Sequence, residues 1–255
     1  LGRLEGIPLA IELAAARTRS LSVGQIAERL PGRPDLLTAA RDAPARQRTL
    51  TAVIEWSWNL LDAAERRALA RLALLADGFT LVPAEALIGA QAADLLDALV
   101  SHSLLVVRDH GLPRFHMLVT VRDFALEQLS ASGDEAEARA ALHQWAVDLC
   151  SQIRFPVDAG DFGDARHPEA RRHDRLFRQV AHDEAVILQQ LDRLLARADG
   201  HGSDRLPAEL RDAICLIGAA LMRLWSVTWS YERIADYGAR LIAAAVQPAQ
   251  DSRGN

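Results

Sequence analysis

The 255-residue chain contains no lysine, so all 29 of its Lys and Arg positions are arginine. A G-x-x-x-x-G-K-[ST] loop is therefore impossible, and with it go the phosphate cradle and its cation. Alone, the polypeptide is not expected to hydrolyse ATP. Cysteine is scarce as well: Cys150 and Cys215 lie far apart and in no C-x-x-C spacing. They read as reduced, buried small hydrophobes of a cytoplasmic protein. The longest apolar stretch, Ala213 to Trp229, carries Arg223 and falls short of a membrane span. No signal-peptide pattern opens the chain, and no membrane partner is expected. Neither G-x-S-x-G nor H-E-x-x-H occurs, so no catalytic residue, metal ligand or enzyme activity is assigned. A formal net charge of −5 argues against nucleic-acid binding driven by bulk electrostatics.

What the chain does have is apolar residues at helical spacing, and half of it is hydrophobic. That is enough for two or three small cores. In Gly6-Ile7-Pro8-Leu9-Ala10-Ile11-Glu12-Leu13-Ala14-Ala15-Ala16-Arg17 the proline fits the first turn of a helix and little else within one. Ser22 opens a second helix that closes near Leu30-Pro31-Gly32, and the proline-marked stretch 31–47 reads as a connection. A helix is predicted from about Thr49 to Leu61, buried on two sides through Leu50, Ile54, Trp58 and Leu61 and through Val53, Trp56 and Leu60.

Asp62-Ala63-Ala64-Glu65 predicts a capping box and a helix over 63–75, Pro83 a third short helix, and 92–102 a fourth. The period then changes. Strands are predicted at Leu104–Val107 and Arg114–Leu118 around the reversal Asp109-His110-Gly111-Leu112-Pro113, followed by a helix over 120–129. Helices, one hairpin and a closing helix spell a winged helix. Its fourth helix offers Asp94 and Asp97 and not one arginine, so two carboxylates would face phosphates in a DNA groove. DNA is therefore an unfavoured partner.

Beyond Ser132-Gly133, Asp134 and Glu137 predict a further capping box and a helix through Ala141, Leu142, Trp145, Leu149 and Ile153. Residues 156–172 read as a linker. Arg166, Arg171, Arg172, Arg175 and Arg178 form the most basic patch, but interleaved Asp164, Glu169 and Asp174 favour a solvated surface. A helical hairpin is predicted from about Leu206 to Val246 with apolar residues on more than one face. Uncovered apolar surface of that kind recruits a partner or drives self-association.

Several of these segments resemble the signal-transduction ATPases with numerous domains, the group that includes NB-ARC proteins and large bacterial transcriptional regulators. Gly6-Ile7-Pro8-Leu9-Ala10 resembles their GLPLA-type motif, and Arg46–Leu50 with Ile54–Leu61 resembles "R-x-R-T-L … W-S-Y-x-L-L". Ala76–Leu81 and Leu99–Leu105 are similar to "F-x-G-G-F-T-L" and "L-V-D-K-S-L-L". Arg114–Leu118 with Val121–Ala125 is similar to "R-Y-R-M-L-E-T-I-R-E-Y-A". The matches hold good register from residue 1 to about 132 and looser register to about 246.

The resemblance implies a mainly α chain: an ATPase-associated helical segment over 1–45, a winged helix with one β-hairpin over 46–132, and the start of a TPR-like sensor region over 133–255. In that family the proline of the first motif sits against bound nucleotide, which makes Pro8 a candidate on the adenine side. A Met-His-Asp motif before the last winged-helix helix contacts the diphosphate there; here Met117-Leu118-Val119 occupies it. The methionine is kept and the other two are not, while His116 lies one residue off and faces the other way in an alternating strand. The chain begins inside a motif, so the expectation is a piece whose nucleotide-binding domain lies N-terminal and holds ATP or ADP. The implied role is a non-catalytic regulatory arm that couples nucleotide state to a protein or small-molecule signal. The alternative is an independent winged-helix DNA-binding transcription factor.

Overall fold

The computed structural model describes residues 11, 15, 18, 21–29, 45–76, 78–109, 111–153, 168–201 and 206–246. It divides into two compact units between Arg139 and Ala140. In the first unit, α1 (Val23–Arg29) opens on a reciprocal cap. The Gln25 amide donates to Ser22 Oγ at 3.3 Å and the Ser22 amide to Gln25 Oε1 at 2.9 Å.

Helix α2 (Ala45–Asn59) follows. Val53, Ile54 and Trp56 are buried on it, as is Leu61 just beyond, but Leu60 is exposed. The expected second stripe is therefore incomplete. Its carbonyl end is closed by Arg66, which donates to Trp58 O at 3.0 Å and Asn59 O at 2.8 Å.

Helix α3 (Ala63–Leu72) starts on the predicted capping box: the Glu65 amide donates to Asp62 Oδ1 at 2.8 Å and the Asp62 amide to Glu65 Oε2 at 2.9 Å. It is the centre of the unit and touches α4 (Leu81–Ile88), α5 (Ala92–Ser101) and α6 (Val119–Ser132). Its Ala68, Leu69 and Leu72 and the following Leu74 and Leu75 are almost wholly buried. Each such leucine contributes roughly 1.5–3 kcal/mol on leaving water. The Trp58 and Phe124 rings meet edge-on at 5.6 Å, tying α2 to α6.

Strands β1 (Val106–Asp109) and β2 (Pro113–His116) form an antiparallel hairpin in which Val106 faces His116 and Asp109 faces Pro113. β1 begins two residues later than the sequence pattern suggests. Ser103 adopts φ 57° and the Leu104 amide reaches back to Leu99 O at 3.0 Å, so Leu104 and Leu105 close the helix instead of joining the strand. On its other side β2 pairs with Phe79, whose carbonyl accepts from the Phe115 amide at 2.8 Å. The Phe79 and Phe115 rings stack at 5.8 Å. Three helices, a wing and a closing helix make this a winged helix, as the order of elements predicts.

Helix α7 (Glu135–Ser151) begins in the first unit, next to Asp134, whose side chain accepts from Arg67 and Arg71. The proposed Asp134/Glu137 capping box is overturned because arginines of α3 take both carboxylates. The second unit is wholly helical among its described residues. α8 (Pro168–His182), α9 (Glu184–Asp199), α10 (Ala208–Val227) and α11 (Tyr231–Val246) join the rest of α7 around Ile187, Leu191, Ile214, Ile217, Leu221 and Trp225. Helix α8 replaces the end of the predicted linker; Leu176, Phe177 and Val180 turn to the core while Arg172, Arg175 and Arg178 stay exposed. α10 and α11 form an antiparallel hairpin in which Leu241 packs on Gly218 and Met222 on Gly238.

Candidate functional site

A winged helix commonly works through the exposed side of its third helix and its wing. In α5 the inward residues are Ala92, Leu96 and Leu99. The outward ones are Ala93, Asp94, Asp97 and Ser101, so both carboxylates stand on the solvent face. His102 caps the helix end, with Nε2 3.5 Å from Glu65 Oε1. The wing adds the exposed apolar side chains of Val106, Val107 and Leu112.

Residues 61–130 contain six arginines against nine Asp and Glu, a net of −3 with histidine neutral. Most of those arginines are engaged in structure. Arg66 closes α2, Arg114 donates to Gly78 O at 2.7 Å, and Arg122 donates to Leu75 O. Arg71 donates to Asp134, Glu137 and Leu87 O, and Arg67 also pairs with Asp134. Among the described residues of this span, Arg108 on the wing is the arginine with no side-chain or carbonyl partner. On the exposed face of α5 two carboxylates stand with no arginine of that helix beside them.

Of the sequence-predicted nucleotide contacts, Pro8 lies outside the described residues. Met117 is buried at 5% exposure, whereas Leu118, the residue before α6, is 43% exposed. The two are adjacent but face opposite ways. His116 lies half-buried against Gly78, where an added Cβ would sit 3.1 Å from its Cε1.

In the second unit a polar strap joins α9 to α10 and α11. Glu184 accepts from Trp225 Nε1 at 2.7 Å and from Arg233, and the Tyr237 hydroxyl donates to Asp192 at 2.8 Å. Burial first, then the Asp192 hydrogen bond, raise the Tyr237 phenol above its ordinary value. His143 is lowered, mainly by burial and then by the nearby Arg197. The basic patch is partly described: Arg172, Arg175 and Arg178 line the outer face of α8, with Arg178 paired to Asp174. Sequence reading missed this helix and hence the alignment of its arginines. Among the described residues no group of three His, Cys, Asp or Glu is placed to hold a metal, and no helix is long and apolar enough to cross a membrane.

Residues 61–130 match the family model of the winged helix-turn-helix domain, in agreement with the architecture. The chain is 41% identical over 164 residues to the "Putative HTH-type transcriptional regulator Rv0890c" of Mycobacterium tuberculosis, covering 61% of this chain and 18% of that protein. A Mycobacterium bovis protein with the same descriptive name matches equally. The "Uncharacterized protein Rv0894" of M. tuberculosis is 42% identical over 171 residues, covering 63% of this chain and 42% of its own length. The chain thus spans less than half of each of these relatives. No solved structure matches it significantly.

Proposed function

We propose that this chain is a regulatory arm of a longer bacterial transcriptional regulator of the signal-transduction ATPase kind. Its winged helix serves as a protein-contact module, and its helical second unit receives a protein or small-molecule signal. The observation that carries this reading is the outward pair Asp94 and Asp97 on α5, unrelieved by any arginine of that helix. In this reading Pro8, Met117 and Leu118 approach ATP or ADP only together with an N-terminal nucleotide-binding domain. The chain by itself holds no cofactor and carries no catalytic residue.

A second reading, an independent winged-helix DNA-binding transcription factor, is favoured by the family-model match and by the relatives' printed description as HTH-type regulators. Selection from random duplexes separates the two. The regulatory arm recovers no motif and shows negligible affinity for ATP or ADP by calorimetry. A reproducible motif, abolished by substitutions in Ala92–Ser101, establishes the second reading, and micromolar nucleotide affinity places the nucleotide site within this chain.

A further inference from the structure

The wing has one open side. Among the described residues the sheet runs from Phe79 through β2 to β1, and nothing pairs with the far edge of β1. The direction of its backbone groups follows from β2. The Phe115 amide donates to Phe79 O at 2.8 Å, away from β1, so Phe115 and the Val107 opposite it form a pair that exchanges no ladder bonds. Pro113, which has no N–H to give, holds the same kind of position opposite Asp109. The Val107 N–H and C=O therefore point away from β2 to the open edge, and the residue is 41% exposed.

The two faces of that edge differ in chemistry. On one, Phe79, Phe115 and Val107 form a cross-strand row that passes from 1% exposed through half-buried to open. An aliphatic residue beside Val107 continues the row and covers it. On the other face Arg108 is exposed and has no side-chain or carbonyl partner among the described residues. The residue directly opposite it is Arg114, so the ladder supplies no counter-charge. A segment added to this edge thus sets an aliphatic side chain against Val107 and, one residue along, a carboxylate against Arg108. A second copy of β1 does not meet this requirement. Pairing through Val107 brings even-numbered residues of the copy opposite Arg108, and no even-numbered residue from 104 to 112 is acidic.

We propose that the open edge of β1 receives an extended acidic segment of another protein, which alternates carboxylate and aliphatic side chains and adds to the wing as a further strand. This rests on reading the winged helix as a protein-contact module and names the contact. The probe is a dye-labelled capped peptide, Gly-Glu-Val-Glu-Val-Glu-Gly, titrated with the whole chain and read by fluorescence anisotropy. Saturable binding at sub-millimolar concentration is expected. Arg108→Glu is expected to weaken it about tenfold or more without moving the melting temperature, since Arg108 holds no partner in the fold. Val107→Pro removes the outward N–H and leaves the β1–β2 ladder its bonds, so it is expected to abolish binding with helical content intact. The peptide N-methylated at both valines lacks the donors that face Val107 O, and it tests the same contact on the unaltered protein. Peptide binding that survives N-methylation, or that is indifferent to Arg108→Glu, overturns the proposal. Absence of peptide binding together with absence of duplex binding overturns this inference alone. Duplex binding that is lost in Arg108→Glu shows that the wing takes phosphate, and it overturns the protein-contact reading as well.

Discussion

The Arg71 guanidinium donates to both oxygens of the Asp134 carboxylate at 2.6 Å, Nε to Oδ2 and Nη2 to Oδ1. Its Nη2 also reaches Glu137 Oε1 at 2.6 Å, and Nη1 reaches Leu87 O at 2.9 Å. One side chain of α3 thus holds the carbonyl end of α4 and the start of α7. The fork geometry of arginine suits this; a lysine could not make the bidentate contact. Hydrogen bonds from Arg71 and then Arg67 hold the Asp134 carboxyl well below the usual carboxylate range.

Asp134→Asn leaves the nearly buried Arg71 without its main counter-charge and is expected to cost about 2–3 kcal/mol at pH 7. Unfolded, the Asp134 carboxyl titrates near about 3.9, above its folded value. The unfolded state therefore binds more protons as pH falls, and the stability from this pair is whole above about pH 5 and declines below about pH 4. Urea unfolding of both proteins from pH 7 to 3 checks this. A gap that does not narrow in acid would remove the ion pair as its cause.

In the regulatory-arm reading, the charge on α5 disfavours DNA. Asp94→Arg with Asp97→Arg is expected to raise affinity for any duplex and to steepen the slope of log K against log salt by about 2, near 0.9 per phosphate reached. Fluorescence anisotropy against a salt series measures both. Tight duplex binding by the unaltered chain at physiological salt would contradict the electrostatic argument.

Gly218 leaves the room that Leu241 fills, for an added Cβ would stand 2.4 Å from Leu241 Cδ2. Gly218→Ala is expected to destabilise the second unit by about 1–2 kcal/mol through overpacking, despite alanine's better helix propensity. In the double variant with Leu241→Ala the two costs should add to less than their sum. Strict additivity in thermal unfolding would show that the contact is not what limits this site.

Burial pushes the Cys150 thiol up to about 12, so almost no thiolate exists there at pH 8. Ellman's reagent is expected to find no more than one reactive thiol in the native chain and two in denaturant. Fast reaction of both without denaturant would refute burial of Cys150.

Local chemistry made much of the first unit legible. The capping box at Asp62 is read from residues three apart and forms, and the helix that Ser22 opens does start there. Helices α3, α5 and α6 likewise form where the sequence places them, within three residues at each end. Errors arose where a distant partner competes with a local one. Asp134 and Glu137 have the spacing of a capping box, yet Arg67 and Arg71, more than sixty residues away, take the carboxylates. Helix α8 was missed because its apolar stripe, Leu176, Phe177 and Val180, is confined to its second half while its first half is charged.

The sequence by itself determined the helical periods, the acidic character of α5, the wing reversal at Gly111 and the absence of a lysine-based phosphate cradle, since each depends on residues that are neighbours in the chain. The tertiary structure alone decided which arginines remain free, because five of the six in residues 61–130 are taken by acceptors that folding brings near. It also decided which of the two apolar sides of α11 is buried. Periodicity shows that both stripes exist, but only packing against Gly218 and Met222 selects the side bearing Gly238 and Leu241 and leaves Tyr231, Ile242 and Val246 in solvent.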